Sequence, residues 1–289
     1  MYSTLGHTLS RYSLSILTCV DFPAPSRPSN TISIDAKVWI FCYFCIMVKI
    51  MGIVNLTPDS FWASSRVKTE EAIPRIDSML QEGADIIDLG AVSTRPGAAD
   101  VSVEEEWSRL EPVLRRLDRA VPISVDTTSA EIVRRTFETF GRFIVNDISA
   151  GEDDPQMLKT VGSLGLPYIA MHKRGNPRTM DNQCDYPEGV IPELLEYFGG
   201  FAITAATNGI TDWILDPGLG FAKTAEQNWE ILEHLEDFKV LGKRILIGAA
   251  DKRFTAGDTE KAHRVALDHG ADILRVHDVK KARQTAGLE

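Results

Sequence analysis

The sequence predicts an α/β protein, a closed (β/α)8 or TIM barrel, and three observations carry that reading. Short β-branched runs alternate with longer helical stretches from Met47 onward, eight of each. Each apolar run ends in Asp, Asn, Gly or another polar residue. The alternating part spans roughly 240 residues, close to the ~250 typical of this barrel. A doubly wound sheet is the alternative fold, weakened by the regular count and by the lack of a GxGxxG turn.

In order, the strands are expected at 49–54, 85–89, 123–125, 142–145, 168–170, 213–215, 244–247 and 273–276. The helices between them are expected at 69–82, 103–117, 129–140, 155–163, 188–208, 225–235 and 259–269, with a last short one from 279. Ser102 precedes three glutamates, acids that suit a first helical turn. Asp258 or Thr259 can cap the seventh helix, and Gly83 and Gly270 stand where helices should stop.

Residues 1–46 read differently. They hold no glutamate and seven serines, and their apolar run over 38–48 is shorter than the roughly 20 residues that span a bilayer. We expect 1–46 to lie outside the barrel, as a disordered extension or as sequence ahead of the true start, with a transient membrane or partner segment as the alternative, and 47–289 to form the barrel. Cys42 and Cys45 have CxxC spacing without a second ligand pair, so all four cysteines read as thiols in a reducing cytoplasm. The net charge of −10 argues against nucleic acid as a partner, and no apolar run is long enough to span a membrane, so no membrane partner is expected of the barrel. A small-molecule substrate remains.

Barrel active sites form at the carboxyl ends of the strands. Here those ends are Asn55, Asp88, Asp126, Asn146, His172, Asp216, Lys252 and the pair Arg275 and His277. The carboxylates with Asn146 suit the N–H-rich edge of a heteroaromatic ring. Lys252, Arg275 and His277 make a basic patch after strands seven and eight, where barrels commonly hold phosphate. Arg95 lies on a Ser-Thr-Arg-Pro-Gly loop that could close over the mouth, and Asn55 with Asp59 offers oxygen donors to a hard cation such as Mg2+. Covalent catalysis and zinc hydrolysis are disfavoured, since no Ser-His-Asp set or H-E-x-x-H stands out.

The segments IMGIVNLTPDSF, GADIIDLGAVSTRPGA, SVDT, VNDISAG, MHKRGNPRTM, LDPGLGFAKT and GADILRVHDV resemble dihydropteroate synthase, in family order from Met47 to Val279. The resemblance implies condensation of 7,8-dihydropterin-6-ylmethyl diphosphate with 4-aminobenzoate, giving dihydropteroate and diphosphate. It implies a homodimer in the cytoplasm, and the target of sulfonamides. Asp126, Asn146, Asp216 and Lys252 would hold the pterin, with Asp126, Lys252, Arg275 and His277 as the catalytic set. Asn55 would bind Mg2+ and the diphosphate, with Arg275 and His277 on the same anion. Thr94, Arg95 and Phe221 would serve the aminobenzoate side. A non-catalytic pterin-binding paralogue is the alternative, and a folate:corrinoid methyltransferase a weaker one.

The departures fall after strand seven, where the family usually reads Ser-Arg-Lys and then a small polar residue. This chain has Ala250-Asp251-Lys252-Arg253. Arg253 either replaces a lost contact to the second substrate or crowds it. Only 23 positions separate Lys252 from Arg275, fewer than the family usually has. Trp62-Ala-Ser-Ser stands where Asp-Gly-Gly is preferred, and Val92 replaces a common Glu.

Overall fold

The computed structural model describes residues 48–56, 69–92, 101–175, 182–250 and 252–288. The expectations for 1–46, for Cys42 and Cys45, and for Asp59, Thr94, Arg95 and Asp251 lie outside the described residues. Eight parallel strands close into a barrel in chain order, as expected. They are β1 (Lys49–Asn55), β2 (Ile86–Gly90), β3 (Ile123–Asp126), β4 (Ile144–Asp147), β5 (Tyr168–Met171), β6 (Trp213–Asp216), β7 (Arg244–Ile247) and β8 (Ile273–Val276). The helices are α1 (Thr69–Gln81), α2 (Val103–Leu114), α3 (Ala130–Phe140), α4 (Met157–Leu164), α5 (Val190–Thr207), α6 (Ala225–Glu233), α7 (Thr259–Asp268) and α8 (Val279–Thr285).

Two apolar layers hold this arrangement. Inside the barrel, Met51, Ile86, Ile169, Ile214, Leu246 and Ile273 pack on one another and plug the floor beneath the mouth. Outside, the other faces of the strands meet the helices, with Tyr168, Phe198 and Phe238 among the largest wholly buried side chains. A strand buried on both faces explains the continuous apolar runs in the sequence. The helix signals act as read: Ser102 accepts from the Glu105 N–H, and Asp258 from the Lys261 N–H. Gly83 and Gly270 end their helices at φ +93°.

The differences have a pattern. Strands β1, β3, β4 and β6 run one or two residues past their apolar stretch, so Asn55, Asp126, Asn146 and Asp216 lie within the ladder. Backbone pairing is indifferent to side-chain polarity, and at the mouth a polar side chain can point inward. The register confirms this, with Asn55 opposite Gly90, Gly90 opposite Asp126, and Asp126 opposite Asn146. Helix α6 stops at Glu233, and a 3-10 helix over Leu235–Leu241 follows, burying Leu235 and Phe238. Among the described residues, no helix is long and apolar enough to cross a membrane.

Candidate active site

The deepest part of the mouth is a polar network laid out by strand register. Asp88 of β2 is wholly buried, and the β2–β3 pairing sets it opposite Ser124. Its carboxylate accepts from the Ser124 hydroxyl and, at 3.3 Å, from Asn146 Nδ2. Arg275 reaches over from β8 and donates through Nε to Asp88 at 2.7 Å. Its Nη2 meets Asp88 at 2.6 Å and Asp126 at 2.9 Å. One guanidinium thus holds two carboxylates, an arrangement Lys could not copy.

This crowding sets the protonation behaviour. Burial raises the Asp126 pKa above the ordinary carboxylate range; Arg275 pulls it down, while Asp88 pushes it further up. Arg275 would be lowered by burial, yet the Asp88 and Asp126 charges hold it above the usual arginine value. Lys252 is brought down to about 8 by burial and by Arg275, against the pull of Asp216 and Asp126. Asp216 is raised by burial, opposed by the Gly218 N–H that it accepts at 2.8 Å and by the nearby cations.

Asp126, Asn146, Asp216, Phe221, Lys252 and Arg275 line one cavity at the carboxyl ends of the strands. Lys252 Nζ lies 4.3 Å from the centre of the Phe221 ring, a cation–π contact that joins the connection after β7 to the one after β6. Asn55 ends β1 packed closely on Gly90: a Cβ there would lie 3.3 Å from Asn55 Oδ1 and 3.8 Å from Asp126 Cβ.

His277 does not join Arg275 in this cavity. It lines a separate cleft with Arg75 and Ala250, and the Arg75 guanidinium donates to its carbonyl at 3.0 Å. Sequence reading placed Arg275 and His277 together as one basic patch after strand eight. Strand β8 ends at Val276, so the strand alternation that sets i and i+2 on one face has stopped before His277.

Sequence reading passed over Lys223. Its amine is buried between His172 and the carbonyls of Gly218 and Phe221. The only hint was a lysine set in a Gly-rich stretch between a strand and a helix. His172, expected at the mouth, is also buried, and its ring packs edge-on to Tyr197 at 4.8 Å.

The family profile described as "Pterin binding enzyme" matches residues 51–277, nearly the whole barrel. The dihydropteroate synthase of Synechocystis sp. is 41% identical over 252 residues, covering 81% of this chain and 86% of the relative. The chain belongs to the dihydropteroate synthase family. Among solved structures of this family, the Yersinia pestis dihydropteroate synthase with a sulfonamide drug complex is 31% identical, with a TM-score of 0.78 over 83% of this chain and 92% of that one. The Xanthomonas albilineans dihydropteroate synthase with 4-aminobenzoic acid is 34% identical, with a TM-score of 0.75 over 83% and 91%. The chain also matches longer folate synthesis proteins, of which it spans 34% to 50%. As a dihydropteroate synthase family member it is a transferase of folate biosynthesis that acts on small molecules.

Proposed function

We propose that this mouth joins 7,8-dihydropterin-6-ylmethyl diphosphate to 4-aminobenzoate, releasing diphosphate, with the pterin ring among Asp126, Asn146, Asp216 and Lys252. One observation carries the reading: Arg275 binds Asp88 and Asp126 together beside Asn146, Asp216 and Lys252. That set presents carboxylates and an amide to ring N–H groups and an ammonium to a ring oxygen, as a pterin edge requires.

The chemistry follows from what these groups can do. The methylene C–O bond breaks, and its electron pair leaves with diphosphate. The weakly basic arylamine forms the new C–N bond to the methylene carbon and then loses its proton to solvent. The ring spreads the positive charge that develops, and the Asp126 carboxylate, kept dry beside it, stabilises that charge. Holding the amine in line supplies much of the remaining rate. Arg275, at the wall of the cavity, and His277, in its separate cleft, would take up charge of the departing diphosphate.

Thr94, Arg95 and Phe221 would serve the aminobenzoate, and Phe221 already stands at the cavity wall. Among the described residues no cluster of three or more His, Cys, Asp or Glu could hold a metal. That suits Mg2+, which keeps waters and substrate phosphate oxygens and needs few protein donors. Asn55 Oδ1, close against Gly90, is a hard donor of that kind. When bound, the ion would neutralise charge on the diphosphate. A cytoplasmic homodimer completes the reading.

The test is diphosphate release by the purified full chain, given both substrates with and without Mg2+. Mg2+-dependent release with dihydropteroate as product is the expected result. Pterin binding without release would make the chain a binding paralogue. Absence of both would remove the assignment of the mouth.

A further inference from the structure

Between β6 and α6 the chain runs Pro217-Gly-Leu-Gly-Phe-Ala-Lys-Thr, and this loop forms one wall of the cavity. Its backbone is unusual: Gly218, Gly220 and Ala222 all have positive φ, at +69°, +77° and +52°. A Cβ on Gly218 would come within 2.0 Å of the His172 carbonyl oxygen, so the loop and the end of β5 are in direct backbone contact. A non-glycine residue in the left-handed region costs free energy and persists only when its surroundings fix it.

Lys223 supplies that fixing from inside the loop. Its Nζ lies 3.1 Å from the Gly218 carbonyl, 3.0 Å from the Phe221 carbonyl and 3.0 Å from His172 Nδ1. An ammonium has three N–H donors, and here each has one acceptor. Burial, with the Lys223 and Arg174 charges, lowers the His172 pKa to about 2, so its ring is neutral and Nδ1 can accept. Asn228 braces the same loop from α6, through a 2.7 Å bond from the Gly220 N–H. A buried lysine is a costly choice where an apolar side chain would fill the space, unless the bonds it makes are needed.

We infer that Lys223 is a positioning residue: by tying the Gly218 and Phe221 carbonyls to the His172 ring, it fixes where the Phe221 side chain stands over the cavity. Phe221 in turn carries the contact to Lys252. The inference rests on the proposed reading only for the identity of the ligand that Phe221 faces. The clamp itself is a matter of geometry.

The charge state of the amine gives a second handle. Burial lowers the Lys223 pKa to about 7; Asp216 and Cys184 oppose this, while Arg174 and Lys252 add to it. Below that pH the ammonium satisfies three acceptors. Above it the neutral amine has two N–H groups for the same three, and the clamp loosens. His172, titrating near 2, is silent in this range.

The experiment compares the full chain with its Lys223→Met variant by amide hydrogen exchange over 217–224 and by steady-state kinetics. We expect exchange in that segment to quicken about tenfold, as loss of one or two net hydrogen bonds implies, with the strands unchanged. The KM for 4-aminobenzoate should rise about tenfold, with pterin affinity changed less than about threefold. A role in stability alone would raise exchange throughout and leave both affinities as they were, and that result overturns the inference. So does unchanged protection over 217–224. If the variant does not fold, Lys223→Gln decides by the same exchange measurement: its amide group has two N–H donors for the three acceptors, and unchanged protection over 217–224 refutes the clamp. A wild-type chain without turnover would defeat the proposed reaction, while exchange would still judge Lys223.

Discussion

Asp126, Asn146 and Asp216 enter the cavity from inside strands β3, β4 and β6, whereas Phe221 and Lys252 enter it from connections after β6 and β7. The first group is placed by the register of a closed sheet, and each member is fixed by the same backbone bonds that hold the barrel. The second group is placed by loop conformation, by one buried lysine and by a cation–π contact. The contrast divides the mouth into a floor of strand-borne side chains and a wall of loop-borne ones, with Lys252 reaching from the wall toward the ring that the floor is proposed to hold. The changes at Ala250, Lys252's neighbour Arg253 and the short connection to β8 all fall on the wall side.

The most severe way to break this contrast is Arg275→Met. It would leave Asp88, wholly buried, and Asp126 without their shared cation. Removing one partner from a buried ion pair costs about 3–5 kcal/mol, so the melting temperature should drop sharply. Adding Asp88→Asn should recover part of the loss. An unchanged melting temperature for the single variant would show that the floor does not depend on this network.

Asp126→Asn sharpens the comparison without dismantling the barrel. Pterin affinity should stay within about tenfold, because an amide keeps the shape, while turnover falls considerably more, because the charge acts on the developing cation. Equal losses in binding and turnover would contradict that division of roles. The smallest effect belongs to the wall. Arg253 is exposed at the start of the 3-10 turn Arg253–Thr255, and Arg253→Ser should alter the KM for aminobenzoate by no more than about threefold. A larger change, or any change in pterin affinity, would place Arg253 in the floor's chemistry instead.

The floor was legible because each strand announces itself as an apolar run that stops at a polar residue, and barrel closure converts eight such stops into one rim. Asp88, Asp126, Asn146 and Asp216 could therefore be named before any coordinates. What could not be read was the reach of one rim residue to another. Arg275 looked like an anion ligand standing beside His277, yet it is turned across β1 onto two carboxylates. That choice depends on distances across the barrel, which sequence spacing does not carry. Lys223 was missed for a related reason: its partners are two carbonyls and a ring nitrogen, and loop geometry alone brings them together. The 3-10 helix over Leu235–Leu241 escaped because its apolar spacing of three, Leu235, Phe238 and Leu241, merges with the helix before it.

The strands that run one residue past their apolar stretch also set how the protein should respond to heat. Exposed loops open locally at low free energy, whereas a closed ladder opens only with the whole barrel. With Asp126, Asn146 and Asp216 inside the ladder, the floor keeps its shape up to the temperature at which the barrel itself melts. Warming should loosen the loop-borne contacts of Phe221 and Lys252 first, and leave those of Asp126, Asn146 and Asp216 as the last the molecule gives up.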